Sequence, residues 1–421
     1  MSSYATPKRT VGFWGTTLFP LNGMIGAGIF ALPAVLSASV GSFAPWMMLF
    51  GGLLFMPLAL CYAWLAARFD HSGGPILYGQ EAFGHFVGFQ AGWGRYASAI
   101  VTSAANTHVM VTYLAAILPV LDGPLATPVA VGAILALTGI INLVGMRGAV
   151  GALGIMTAIK LIPLVALVIS ALFAGTEAIG FELPEFSGVE TVILLTFYAF
   201  MGFETAVEPA GELRNPKRDL PRAIVVMVTA VTLLYMAVIW AFLAIAPADS
   251  GDNALASAAL ETMGQAGSLA IIIAAGFSIG ANTFGGLTAL ARLVYGMAEQ
   301  NMLPRWFMAV SGRFGTPANA IIFTTLAAIL LGFWEGFAVL AVAGTLIRLV
   351  TYCICAAALP RLEQRAGELD RLHALVAAIA IILSIWVATH VDLQAVLVLT
   401  GIFALGTMLY WITARRTQNP Q

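Results

Sequence analysis

Lys160, Glu204, Glu208 and Arg348 all stand inside or beside long apolar runs: "IMTAIKLIPL" around the lysine, "YAFMGFETAVEPAGE" at 198–212 around the two glutamates and "GTLIRLVTY" around the arginine. Charge in such surroundings is expensive and marks function by default. A lysine among apolar side chains is cheaper to bury as the neutral amine, so Lys160 is a candidate for loading and releasing a proton. The alternative is a lysine that snorkels to an interface. Glu204 and Glu208 are four residues apart and share a helix face, where two ionised carboxylates repel. One of them therefore keeps its proton or meets a cation, and Arg348 and Arg95 are the candidate partners. Arg348 reads as structural or gating, Arg95 as a structural contact on the cytoplasmic side.

Glycines supply the second kind of chemistry. "LNGMIGAGIF" at 21–30 places Gly23, Gly26 and Gly28 beside Asn22, and the stretch at 198–212 adds Gly202 and Pro209 to its two glutamates. Unwinding a helix in hydrocarbon exposes backbone N–H and C=O groups, which is tolerable only where they line a cavity. The half-helix after Gly28 would aim free N–H groups and a positive dipole end into that cavity, ready for a carboxylate. Carbonyls freed nearby can accept an ammonium, and a zwitterionic amino acid matches both. Close helix packing is the better explanation of a lone glycine cluster. Two clusters in corresponding places favour a site.

The elements that must hold these residues are membrane helices. Of the 421 residues, 60% are hydrophobic and 9% charged, against roughly a quarter charged in soluble domains. About 20 apolar residues cross a bilayer, and about twelve such stretches can be placed: 13–39, 44–67, 87–118, 125–144, 150–174, 188–209, 222–246, 266–298, 318–334, 336–359, 374–390 and 393–413. No barrel-like alternation is present, so the fold class is an all-α integral membrane protein. The interruptions fall in spans 1 and 6, the spacing of two inverted five-helix repeats that each open with a discontinuous helix. A single transporter domain is expected over 1–421, with repeats at 13–174 and 188–359 and two additional helices at 374–413.

Lys and Arg fall on one side of this topology, including the cluster Arg214, Lys217, Arg218 and Arg222, while the opposite loops carry acids and His390. By the positive-inside rule both termini are cytoplasmic. The first apolar run is too long for a cleavable signal peptide. Cys61, Cys353 and Cys355 lie in or beside spans and are expected as packed thiols.

"GMIGAGIF", "SGGPILYGQEAFG", "FYAFMGFETAVEPAGELRNPKRDLPRAI" and "ARLVYGMAEQNMLPRWF" together resemble the amino acid, polyamine and organocation (APC) superfamily of transporters along the whole chain. The resemblance implies a LeuT-type fold and secondary transport by alternating access. It places a substrate carboxylate at the amides around Gly26, Ala27 and Gly28, and the ammonium at carbonyls near Met24, Tyr198 and Met201. Tyr198 takes the position of an aromatic gate, Glu204 that of an acid linked to gating or proton linkage, and Lys160 that of a lysine which replaces a bound cation in proton-coupled relatives. Asn106 lies where relatives contact the substrate.

Selectivity could draw on Thr102, Ser103, Asn106, Thr107 and His108 in the third span and on Ser278, Asn282 and Thr283 in the eighth, although each alone fits an interhelical hydrogen bond. The side-chain pocket reads as small and apolar, which points to neutral amino acids. His108 reads as packed, since no other His or Cys stands at metal-ligand spacing. A Walker lysine motif and a nucleophile motif are absent, so neither ATP-driven transport nor a membrane enzyme is expected. No cofactor is expected, and with a net charge of −1 nucleic acid is not an expected partner. The leading reading is a permease of the cytoplasmic (inner) membrane that takes up neutral amino acids with protons. The alternatives are an exchanger or exporter of the same fold and, from another class, a receptor or channel.

Overall fold

The computed structural model describes residues 12–69, 74–144, 152–174, 180–207, 215–247, 251, 253–334, 336–391 and 393–418, and all regular structure among them is helical. The order is α1 (Phe13–Met24), α2 (Gly28–Val40), α3 (Ala44–Arg68), α4 (Gly74–Phe83), α5 (His85–Ala115), α6 (Ala126–Val144), α7 (Ala152–Phe173), α8 (Phe186–Phe200), α9 (Pro216–Ile245), α10 (Ala254–Glu299), α11 (Ala318–Trp334), α12 (Phe337–Ala366), α13 (Arg371–Ala388) and α14 (Leu393–Gln418). Among the described residues, eight segments are long and apolar enough to cross a membrane, with Thr157–Phe173 and Ala318–Trp334 as shorter apolar helices. The 12-residue α1 is too short to span by itself, because the first expected span is divided between α1 and α2.

That division falls at Ile25, Gly26 and Ala27, inside the first glycine cluster. The sixth expected span is divided as well. Its α8 stops at Phe200, Met201 is extended (φ −66°, ψ 149°), and a short 3-10 turn follows over Phe203–Val207. Glu208 and Pro209 lie outside the described residues.

Two differences from the expected spans have one physical cause. The region before the third span forms the separate helix α4, and the eighth span is preceded by a helical segment that begins at Ala254. Each joins its long helix through a glycine in nearly the same conformation: Gly84 at φ 97°, ψ 176° and Gly264 at φ 67°, ψ −167°. That region of backbone space is essentially glycine-only, so the chain bends there without losing its helices on either side.

The elements pack in pairs that anticipate the site. Helix α3 lies on α9, α5 on α10, α6 on α11 and α2 on α8, while α1 meets the 3-10 turn after α8. Phe55 of α3 is fully buried and makes ring contacts with Phe197, Phe200, Phe203 and Tyr352 at 5.4–6.0 Å. Offset and edge-on aromatic pairs of this kind add to plain area burial, and here they fix the end of α8 and the turn after it against α12. The thiols of Cys61, Cys353 and Cys355 are free, with Cys61 and Cys355 buried.

Candidate functional site

The two helix breaks touch. A Cβ added at Gly23 would stand 2.4 Å from the Gly202 carbonyl oxygen, and one added at Gly202 would stand 2.4 Å from the Gly23 carbonyl oxygen. No residue but glycine fits at either position without backbone movement. Glycine packing and helix unwinding, weighed as alternatives for such clusters, therefore occur together.

The two ends of the first break are treated differently. At the start of α2, the Gly26 N–H donates to Met24 O at 2.9 Å, but the N–H groups of Ala27, Gly28 and Ile29 have no backbone acceptor among the described residues. Such a cluster is suited to an anion. The freed carbonyls of α1, by contrast, are met by side chains of other helices. Lys160 of α7 donates to Asn22 O (3.3 Å) and Ile25 O (3.1 Å), and Ser278 of α10 also donates to Ile25 O (3.0 Å). Asn282 of α10 donates to Gly23 O at 3.1 Å, and Tyr235 of α9 to Met24 O at 2.9 Å.

A carbonyl oxygen has two lone pairs. Ile25 O has both engaged by side chains, and Met24 O has both engaged by the Gly26 N–H and the Tyr235 hydroxyl. Met24 thus lines the cavity without a free acceptor. Its neighbour Gly23, also in the lining, accepts from Asn282 alone among the described residues and keeps one lone pair.

Lys160 is 3% exposed and sits behind the break, outside the set of residues that line the cavity. Its ammonium meets carbonyl oxygens of the very segment that must hold a ligand. Asn22 fastens the same corner by donating to Thr157 Oγ1 at 2.7 Å.

Below the second break, Glu204 is 2% exposed and pairs with Arg348. Its other carboxylate oxygen accepts from the Gly202 N–H at 3.0 Å and from the Tyr352 hydroxyl at 3.1 Å. Arg348 Nε donates to Ser98 Oγ at 2.9 Å, and that hydroxyl donates on to Gly344 O at 2.7 Å. The acid that Arg348 meets is thus Glu204, and the chain of bonds ties the unwound turn to α12 and α5. Arg95 lines the same cavity.

On the other side, Tyr198 donates its hydroxyl to Asn106 Oδ1, and its ring meets Phe337 edge-on at 5.6 Å. Met24, Gly26, Ala27, Gly28, Asn106, Tyr198, Met201, Glu204 and Arg348 all line one cavity of about 130 Å³, joined by Thr102, Ser103, Thr205 and Asn282. Among the other expected polar residues, His108 meets Gly332 O at 2.9 Å and Thr107 bonds Ser103 O at 2.8 Å, both away from the lining set. No group of His, Cys, Asp and Glu that could hold a metal ion is found among the described residues. Tyr235, Ser98 and Tyr352 were not visible as site residues in the sequence, because a lone hydroxyl in an apolar run carries no sign of which distant carbonyl or carboxylate it will meet.

Paired broken helices around a buried polar cavity, in an all-helical membrane chain, define the LeuT-type class of carriers. The amino acid permease family model matches residues 11–414. The chain belongs to that family, within the APC superfamily. Similar proteins include an uncharacterized transporter of Mycobacterium tuberculosis, 29% identical over 325 residues that cover 74% of this chain and 71% of the relative. The serine/threonine exchanger of Bacillus subtilis is 27% identical over 77% of this chain and 76% of its own length. The cadaverine/lysine antiporter of Escherichia coli is 29% identical over 54% of this chain and 52% of its own.

Proposed function

We propose that the protein takes up neutral amino acids across the cytoplasmic membrane by alternating access, coupled to protons. The observation that carries this reading is the pair of facing breaks. One side of the cavity offers the N–H groups of Ala27, Gly28 and Ile29, which lack backbone acceptors among the described residues. The spare lone pair of the Gly23 carbonyl and the backbone that leaves helical geometry at Met201 offer acceptors. A zwitterion placed between them satisfies both, with its carboxylate at the dipole end of α2. The cavity of about 130 Å³ has room for roughly ten water-sized groups, in keeping with a small substrate.

Tyr198, steadied by Asn106 and Phe337, is the gate on one side. The Glu204–Arg348 pair ties the other side, and Lys160 carries the proton. When Lys160 is charged it grips Asn22 O and Ile25 O and braces the broken segment; when it is neutral that grip weakens, which links proton loading to the shape of the site. With its basic loops inside, both termini face the cytoplasm. Two inverted repeats, 13–174 and 188–359, supply the rocking elements, with 374–413 outside them.

An exchanger is the second reading, favoured by two relatives named as an exchanger and an antiporter. The substrate site is tested by equilibrium binding of radiolabelled amino acids to purified wild-type protein and to Gly26→Val. A side chain at Gly26 would enter within 2.9 Å of the Asn282 amide and block the α2 amides. Loss of binding in a variant that remains monodisperse is expected. Normal affinity would mean that this glycine serves packing alone.

A further inference from the structure

We infer that the site prefers amino acids whose short side chain ends in a hydrogen-bond donor, a hydroxyl or a carboxamide, over aliphatic ones of equal size; the inference rests on the amino acid reading above. It follows from which hydrogen-bonding atoms of the cavity wall are already engaged. Thr102 and Ser103 of α5 both donate their hydroxyl hydrogens to Ala99 O, at 3.2 and 2.8 Å. Ala99 O also takes the helical Ser103 N–H, and with two lone pairs it cannot hold both hydroxyls at once, so at least one of them is free to donate to, as well as accept from, the cavity they line. Asn282 uses its amide nitrogen on Gly23 O, so its Oδ1 is a third acceptor. Asn106 commits its Oδ1 to Tyr198, which leaves its amide nitrogen as a donor.

The wall therefore presents an acceptor from Asn282, a donor from Asn106 and the hydroxyls of Thr102 and Ser103 between them. A hydroxyl or carboxamide can donate to Asn282 Oδ1 and accept from the Asn106 amide. A methyl or isopropyl group leaves that wall facing carbon, and sites built to bond a hydroxyl discriminate strongly against analogues that lack one. A second ammonium would enter a cavity that Arg95 and Arg348 already line. The lining is largely the small and apolar one expected from sequence, and the few hydroxyl and amide groups set into it carry the selectivity.

Threonine and valine have nearly the same shape and differ by this one hydroxyl, so they form the decisive pair, with serine and alanine as a smaller one. Full-length protein in proteoliposomes is assayed for uptake of each, and the KM values are compared. Threonine is expected to be preferred over valine by about tenfold or more, and the ratio is expected to fall toward one in Thr102→Val and in Ser103→Ala. Equal KM values for threonine and valine in the wild type would overturn the inference while the transport reading stands. An unchanged ratio in both variants, each still transporting, would also overturn it. Silence toward every amino acid would defeat the transport reading and this inference with it.

Discussion

Lys160 and Glu204 look alike as letters, each an ion in an apolar run, yet the fold gives them opposite surroundings. Glu204 meets a guanidinium, a tyrosine hydroxyl and a backbone N–H, so protonating it would strand Arg348 in the interior. Lys160 meets neutral carbonyl oxygens, and losing its proton leaves no opposite charge uncompensated. In the proposed mechanism the lysine is therefore the proton-exchanging residue and the glutamate a tie. In Lys160→Ala and Lys160→Arg, uptake measured with and without an inward proton gradient should lose its gradient dependence; full dependence in both would remove the lysine from coupling. Breaking one partner of a buried ion pair costs about 3–5 kcal/mol, so Glu204→Gln and Arg348→Met should each lower thermal stability sharply. Combined, they should cost less than the sum, and strict additivity in that cycle would show that the two side chains do not interact.

Among the elements, the glycine-marked bends are the most informative. Gly84 and Gly264 share one rare backbone conformation at the junction of a short helix with a long one, and the long helices they start, α5 and α10, pack together. The breaks of the first and sixth spans also face each other, and α3 packs on α9 and α6 on α11. At both bends a Cβ would meet nothing within 4 Å, so an alanine there should cost only conformational strain, about 1–3 kcal/mol. Unfolding midpoints of Gly84→Ala and Gly264→Ala should drop by similar amounts, and unchanged midpoints would mean that neither backbone resists a side chain.

The breaks were legible in sequence because glycine, proline and acid residues seldom gather inside an apolar run unless a cavity needs the backbone they free. The caps on the freed carbonyls were not, since Tyr235, Ser278 and Asn282 reach α1 from helices more than 200 residues away in the chain. For the same reason the saturation of the Met24 carbonyl, which moves the spare acceptor to Gly23, could be seen only in the folded chain. Nor was helix α4 legible, a ten-residue element too short to stand out by apolar periodicity.

At the scale of the molecule, the fold places the start of α2, whose first N–H groups lack backbone acceptors among the described residues, the Tyr198 ring and the Glu204–Arg348 pair around one cavity, with Lys160 just behind it. In the proposed mechanism the proton and the substrate act on the same broken segment. The most direct measurement is uptake of radiolabelled amino acids into proteoliposomes containing the purified protein, with and without an inward proton gradient and with and without amino acid inside. Accumulation into empty vesicles that requires the gradient is the predicted result. Uptake that occurs only into preloaded vesicles, indifferent to the gradient, would contradict proton-coupled import and make the protein an exchanger.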